Sequence, residues 1–169
     1  MKKNLTLTGM MGVGKSTIGK AVSKRLSMEF IDIDKLIENK IKLTIQKIFE
    51  LKGEAFFRKV EEKVTLEEIK KSNKVISLGG GAFMNKKIRN HAILHTKSFW
   101  LDLSKSALKK RLNYSKKRPL LVNKNIKLTL EKIYNEREKT YSLANYKIDC
   151  NNLTTNLIVN KIVKIYEND

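Results

Sequence analysis

At 169 residues the chain is long enough for one complete core and too short for a motor or a multidomain ATPase. Hydrophobic residues make up 41% and there is one proline, which suits a compact α/β protein and excludes a disordered one. The formal net charge of +19 raises nucleic acid as a partner, but the lysines are spread over every predicted helix without a dense tract and the aromatics sit singly, so no nucleic-acid partner is expected.

The first strand is predicted over residues 4–8, where Leu5-Thr6-Leu7-Thr8 alternates. It starts almost at Met1 and its apolar stretch is short, so neither a signal peptide nor a membrane span is expected. The single cysteine, Cys150, has no internal partner, which points to the reducing cytoplasm. Next comes Gly9-Met10-Met11-Gly12-Val13-Gly14-Lys15-Ser16-Thr17, which fits the phosphate-binding pattern G-x-x-x-x-G-K-[ST]. Behind it, Ile18, Ala21, Val22, Arg25 and Leu26 recur at helical spacing. Gly12, Val13, Gly14, Lys15, Ser16 and Thr17 would turn backbone N–H groups toward a polyphosphate at a helix N-terminus. Lys15 would reach the β- and γ-phosphates and the Ser16 hydroxyl would ligate Mg2+. A glycine-rich turn before a helix is the plain alternative, but strand, helix and Lys-Ser together favour nucleoside triphosphate binding.

A second strand over residues 29–32 runs into Asp32-x-Asp34. Alternation along a strand would aim both carboxylates off the sheet's C-terminal edge, where open α/β sheets bind ligands. One could serve Mg2+ and the other accept a hydroxyl proton; alternatively, Asp34 only caps the helix that carries Leu36 and Ile37. Between residues 44 and 72, Gly53 splits the segment into two predicted helices. Arg58 and Glu61 lie three apart and can pair, fixing the guanidinium, with Phe49 and Phe57 as apolar walls. A core helix with a solvated ion pair fits that spacing equally well. A third strand over 74–78 ends in Gly79-Gly80-Gly81, which implies unusual backbone angles or a ligand lying against the chain, a flexible turn being the other reading.

His91 and His95 read as surface residues near a helix end, not as a metal cluster. A fourth strand is predicted over 98–103. The polar stretch 113–125, with Arg118-Pro119-Leu120-Leu121, lacks a period and reads as a lid. On the following helix Leu130, Ile133, Tyr134, Arg137 and Tyr141 recur at helical spacing, so Arg137 faces inward and needs an anion, from the protein or a ligand. A fifth strand over 146–150 and a helix over 155–166, capped by Thr154, complete the chain. Strands alternating with helices give a parallel sheet with helices on both faces.

Taken together and in this order, the phosphate loop through Gly19, Asp32-x-Asp34, Ile48-Phe49-x3-Gly53-Glu54-x2-Phe57-Arg58-x2-Glu61, the three glycines, Arg118-Pro119-Leu120-Leu121 and Glu136-Arg137-x3-Tyr141 resemble the shikimate kinases. The resemblance implies a five-stranded parallel sheet in the order 2-3-1-4-5, a single P-loop kinase domain with an acceptor region at 33–61 and a lid at 113–125. It also implies ATP-dependent phosphorylation of the 3-hydroxyl of shikimate, with Mg2+; no nucleic-acid or membrane partner is expected, and the chain is expected to be a monomer. On the family pattern Asp34, Arg58, Gly80 and Arg137 hold shikimate, with Phe49, Phe57, Gly79 and Gly81 beside it. Arg111 and Arg118 meet the nucleotide, and Asp32 and Ser16 serve the metal; Lys15, Asp34 and Arg118 would carry the chemistry. After the last strand the family often places a long polar or basic side chain near adenine. Here the sequence reads Asn151-Asn152-Leu153, so adenine contacts there are expected to be mostly backbone. A gluconate or nucleoside monophosphate kinase would share Lys15 and Ser16 without needing the Phe49 to Glu61 block. A basic nucleic-acid binder with a degenerate loop is the non-enzymatic rival.

Overall fold

A computed structural model describes residues 2–113 and 126–168. The five strands are β1 (Asn4–Thr8), β2 (Glu29–Asp32), β3 (Lys74–Ser77), β4 (Thr96–Asp102) and β5 (Tyr146–Asp149). They form one parallel sheet in the order β2-β3-β1-β4-β5. β1 lies in the middle and is buried at every position, although three of its five residues, Asn4, Thr6 and Thr8, are polar. Two of its polar side chains are paired: Asn4 donates to the carbonyls of Ile69 (3.0 Å) and Lys71 (2.6 Å) and accepts from the Lys74 N–H (2.8 Å). Thr6 and Thr96 share a hydrogen bond of 2.8 Å across β1 and β4. That pairing starts β4 at Thr96, two residues before the alternation suggests, while β3 and β5 each stop one residue short of their predicted ends.

Helices connect the strands: α1 (Lys15–Leu26), α2 (Ile33–Ile41), α3 (Ile45–Ile69), α4 (Lys86–His95), α5 (Lys105–Asn113), α6 (Ile126–Tyr141) and α7 (Thr155–Asn168). A short 3-10 turn covers Ala82–Met84. The chain steps from β1 outward to β2, then back through β3 toward β5. Right-handed crossovers therefore put α1 on one face and α3 and α4 on the other. The packing agrees, since α1 meets α7 and α3 meets α4. Leu5, Leu7, Ile76, Phe99 and Leu101 from the strands meet Ile18, Val22, Ile88 and Ile162 from the helices in the core. The expected break at Gly53 is present, as a kink with φ 78° and ψ 167° inside α3. Thr154 caps α7 as expected, accepting from the Leu157 N–H at 3.4 Å. Among the described residues no helix is long and apolar enough to cross a membrane.

Candidate active site

Strand β1 delivers the chain to Gly9 at the C-terminal edge of the sheet. There the backbone takes φ +137°, and a β-carbon would sit 2.5 Å from the Leu101 carbonyl oxygen of β4, so no other residue fits without moving backbone. The loop through Gly12 and Val13 ends on Gly14, left-handed at φ 103°, which caps α1 at Lys15. Lys15 Nζ donates to the Gly9 (2.7 Å) and Met10 (3.0 Å) carbonyls, across the base of the loop. Thr17 is exposed in the first turn of α1. From α5, Arg111 donates to the Val13 carbonyl at 3.0 Å, so the expected nucleotide arginine does lie on the phosphate loop. Ser16 Oγ donates to Asp32 Oδ2 at 2.6 Å, which joins the two residues expected to serve the metal.

The two aspartates are positioned differently from the strand-based expectation. Asp32 ends β2 and its side chain caps α2, accepting from the Lys35 N–H at 3.3 Å. The chain is already helical at Ile33, so strand alternation does not reach Asp34, which sits in the first turn of α2. The capping role considered for Asp34 belongs to Asp32. Asp34 instead lines a cavity of about 590 Å³ with Asp32, Phe49, Phe57, Arg58, Glu61, Gly79, Gly80, Gly81 and Arg137. Every acceptor residue expected from the sequence is therefore on one wall or another of the same space.

Each of those side chains is held by a specific neighbour. Arg58 Nη1 donates to Glu61 at 2.8 Å and its other end donates to Glu54 at 3.1 Å, so the guanidinium is clamped from both sides. The Glu61 side chain is only 1% exposed, so the solvated-pair reading of Arg58 and Glu61 does not apply. Phe49 and Phe57 pack with centroids 4.9 Å apart, and the Arg58 guanidinium lies over Phe57 at 5.2 Å. Arg137 is half-buried and donates to the Gly80 carbonyl at 2.8 Å. The Tyr141 hydroxyl donates to the same carbonyl, a contact the sequence reading did not include although Tyr141 was on the apolar stripe. At Gly79 a β-carbon would lie 2.5 Å from Glu61 Oε1 and 2.8 Å from Asp34 Oδ1. The first of the three glycines thus makes room for two carboxyl groups, which the flexible-turn reading does not explain.

Electrostatics follow from this crowding. Burial pushes the Asp34 carboxyl above its usual range, the Asp32 carboxylate adds to the effect, and Lys15 and Arg58 oppose it. Burial likewise raises Glu61, against the pull of Arg58. Asp34 is therefore a better base than a surface aspartate and lies within the field of the Lys15 ammonium. Among the described residues no group of three or more His, Cys, Asp or Glu could hold a metal ion. The His91 and His95 rings lie 5.6 Å apart along α4, tilted by 51°. Arg118 and residues 114–125 of the expected lid lie outside the described residues, whereas Asn113 is the end of α5.

A family model described as shikimate kinase matches residues 11–167. A shikimate kinase of Bacillus pumilus is 38% identical over 164 residues, covering 96% of this chain and 88% of that protein. The solved structure of a shikimate kinase from Acinetobacter baumannii in complex with shikimate superposes with a TM-score of 0.95 at 31% identity, covering 99% of this chain and 94% of that one. A gluconokinase from Sinorhizobium meliloti reaches a TM-score of 0.64 at 14% identity, over 98% of this chain and 92% of that one, which is likeness of fold alone.

Proposed function

The chain belongs to the shikimate kinase family, and we propose that it moves the γ-phosphoryl group of ATP onto the 3-hydroxyl of shikimate, giving shikimate 3-phosphate and ADP on the route to chorismate and the aromatic amino acids. The observation that carries this reading is the convergence of Arg58, Arg137 and Asp34 on one cavity bordered by Met11 of the phosphate loop. Shikimate has one carboxylate and three hydroxyls. Two guanidinium groups suit the anion, and one carboxylate suits adjacent hydroxyls. Phe49 and Phe57 form the apolar wall for the ring, and the Gly79–Gly81 backbone lets it approach closely.

In this mechanism Arg58 and Arg137 grip the acceptor's carboxylate, so that its 3-oxygen faces the phosphate loop. Asp34 takes the 3-hydroxyl proton onto its carboxylate as the substrate's own 3-oxygen bonds to phosphorus and the bond from phosphorus to the β–γ bridging oxygen breaks. Lys15 turns from the loop carbonyls to the β- and γ-phosphates and offsets charge on the leaving ADP. Arg111 borders the nucleotide beside Gly12 and Val13. Arg118, on the proposed lid 113–125, is assigned by the family pattern to close over the phosphates and help exclude water. Mg2+ fits the Ser16 hydroxyl and Asp32 carboxylate, a hard oxygen pair suited to an ion otherwise bound by water and phosphate. When bound it neutralises phosphate charge. We further propose that one chain suffices, as a monomeric single domain, and that it works in the cytoplasm, which suits a free buried thiol at Cys150.

An ADP-release assay offering shikimate, gluconate and nucleoside monophosphates in turn tests the reading. Turnover with shikimate and ATP, dependent on Mg2+, is the expected result. Preference for gluconate or a nucleotide would overturn it, as would salt-dependent DNA retention without ATP turnover.

A further inference from the structure

On the far side of β1 from the acceptor cavity, the loop after β4 and the loop after β5 are fastened together by one side chain. The Cys150 N–H donates to the Asp102 carbonyl at 2.8 Å, which extends the β4–β5 pairing by one step. Asn151 then uses both ends of its amide. Its Oδ1 accepts from the Ser104 N–H at 3.0 Å, and its Nδ2 donates to Asp149 Oδ1 at 2.7 Å. The Asn151 backbone N–H donates to that same Asp149 oxygen at 2.9 Å. The backbone bond first and the side-chain bond second hold the Asp149 carboxyl below its usual range. The amide provides an acceptor and a donor in these two directions; a carboxylate lacks the donor and an alanine lacks both.

Ser104 is more than an anchor point. Its carbonyl accepts from the Leu108 N–H at 2.9 Å and its Oγ from the Ala107 N–H at 3.4 Å, so it begins α5. Two turns later Arg111 lies on the Val13 carbonyl, and Leu112 packs so closely on the loop that a β-carbon at Gly12 would be 3.0 Å from it. An unbroken series of contacts therefore runs from Asp149 through Asn151 and Ser104 to α5 and the phosphate loop. Asp149, Asn151, Ser104, Arg111 and Leu112 all lie outside the lining of the acceptor cavity.

We propose that Asn151 is a positioning residue for the nucleotide: by fixing the start of α5 it sets where Arg111 and Leu112 meet the phosphate loop. The inference rests on the proposed function only in that Arg111 borders ATP. Asn151→Asp removes the donor and places a second carboxylate at hydrogen-bond distance from Asp149. The reciprocal swap Asp149→Asn with Asn151→Asp restores a donor at 149 and an acceptor for Ser104, at unchanged net charge.

Asn151→Asp should raise KM for ATP about tenfold, the usual size for a hydrogen bond to a charged group. The shikimate KM and kcat should stay within about twofold of the parent, and the swap should regain most of the ATP affinity. Asn151→Ala, which adds no charge, should show the same split to a smaller degree and serves if the aspartate variant does not fold. Titration with a non-hydrolysable ATP analogue, with no acceptor present, should reproduce the loss. An unchanged ATP KM in Asn151→Ala, equal losses for both substrates, or no recovery in the swap would each overturn the proposal. Failure of the parent protein to turn over shikimate would instead overturn the proposed function, and the ATP-analogue titration would still decide the role of Asn151.

Discussion

On the nucleotide side nine consecutive residues, Gly9 to Thr17, form the loop, and what they present is mostly backbone held against backbone, as where Gly9 meets the Leu101 carbonyl. On the acceptor side the same sheet edge gathers side chains from α2, α3, α6 and the turn after β3, spread from Asp34 to Arg137. A loop of the first kind adds little burial of charge. A cavity of the second kind requires Asp34 and Glu61 to sit where burial disfavours their charged forms. Changes on the nucleotide half should therefore act on turnover and ATP binding, most of all through Lys15 and the special backbone angles, with little effect on stability. The acceptor half should reveal itself in opposed effects on activity and stability.

The sharpest break of that contrast is Lys15→Ala. We expect turnover to fall by about 10^3-fold, in the range found for removing one group that offsets transition-state charge. Its ammonium meets loop carbonyls and belongs to no core cluster, so the melting temperature should hardly change. Near-normal turnover in this variant would mean that the loop does not work as described.

Asp34→Asn is next. A general base contributes about 10^2–10^4-fold, so kcat should drop by at least about 10^2-fold while ATP affinity stays constant. Excess Mg2+ should not rescue it, whereas Asp32→Asn should need more Mg2+. Stability should move the other way. The folded Asp34 binds its proton more tightly than the unfolded chain does, so its favourable contribution is complete below the unfolded carboxylate value near 3.8 and is lost as pH rises through the raised value. At neutral pH its charge opposes folding, and Asn removes that charge. Thermal melts should show Asp34→Asn more stable than the parent at pH 7, with the gap narrowing toward pH 4. In the parent, kcat/KM should decline on acidification at a higher pH than an ordinary aspartate would give. A variant less stable at pH 7 would contradict the account of a burdened acceptor side.

How much of this was legible in the sequence follows the same division. The phosphate loop could be read whole because its chemistry is local, and the strands because alternation is local too. Residues such as Thr96 were missed at the strand edge, since its place depends on Thr6 ninety positions away. In the cavity, spacing could pair Arg58 with Glu61 but left their burial open; that is fixed by Gly79, which leaves room for Glu61 and Asp34 together. The route by which Asp34 reaches the cavity was also misread, because Asp32 stops the strand by capping α2 and turns Asp34 inward on a helix. Asn151 carried no signal beyond its departure from the family's usual residue, as its partners Ser104 and Asp149 meet only in the folded sheet.

Arg58→Lys tests the acceptor side without deleting charge. A single ammonium cannot hold Glu61, Glu54 and a carboxylate in the fork geometry that a guanidinium offers. The shikimate KM should rise by about tenfold or more while ATP binding is unaffected. Calorimetric titration of both ligands would check this, and equal losses for the two would place Arg58 outside the acceptor's site.

The smallest expected effect lies on the outer surface of the acceptor half. Lys42 ends α2 at φ 61° and ψ 26°, a left-handed conformation, and its N–H donates to the Glu38 carbonyl at 2.8 Å. A side chain there costs about 1–2 kcal/mol in local sterics. Replacement by glycine relieves that cost but loosens the unfolded chain by about 0.4–1 kcal/mol, so the two effects nearly offset. Lys42→Gly should therefore stabilise the protein by less than about 1 kcal/mol, a rise of a few degrees at most in Tm. Lys42 does not line the cavity, so the shikimate KM should not move. Paired with Asp34→Asn, this separates two kinds of gain: one from relaxing a strained corner at no expected functional cost, the other from removing the charge proposed to act as the base. If Lys42→Gly also weakened shikimate binding, the corner between α2 and α3 would have to be counted as part of the acceptor site and not as its support.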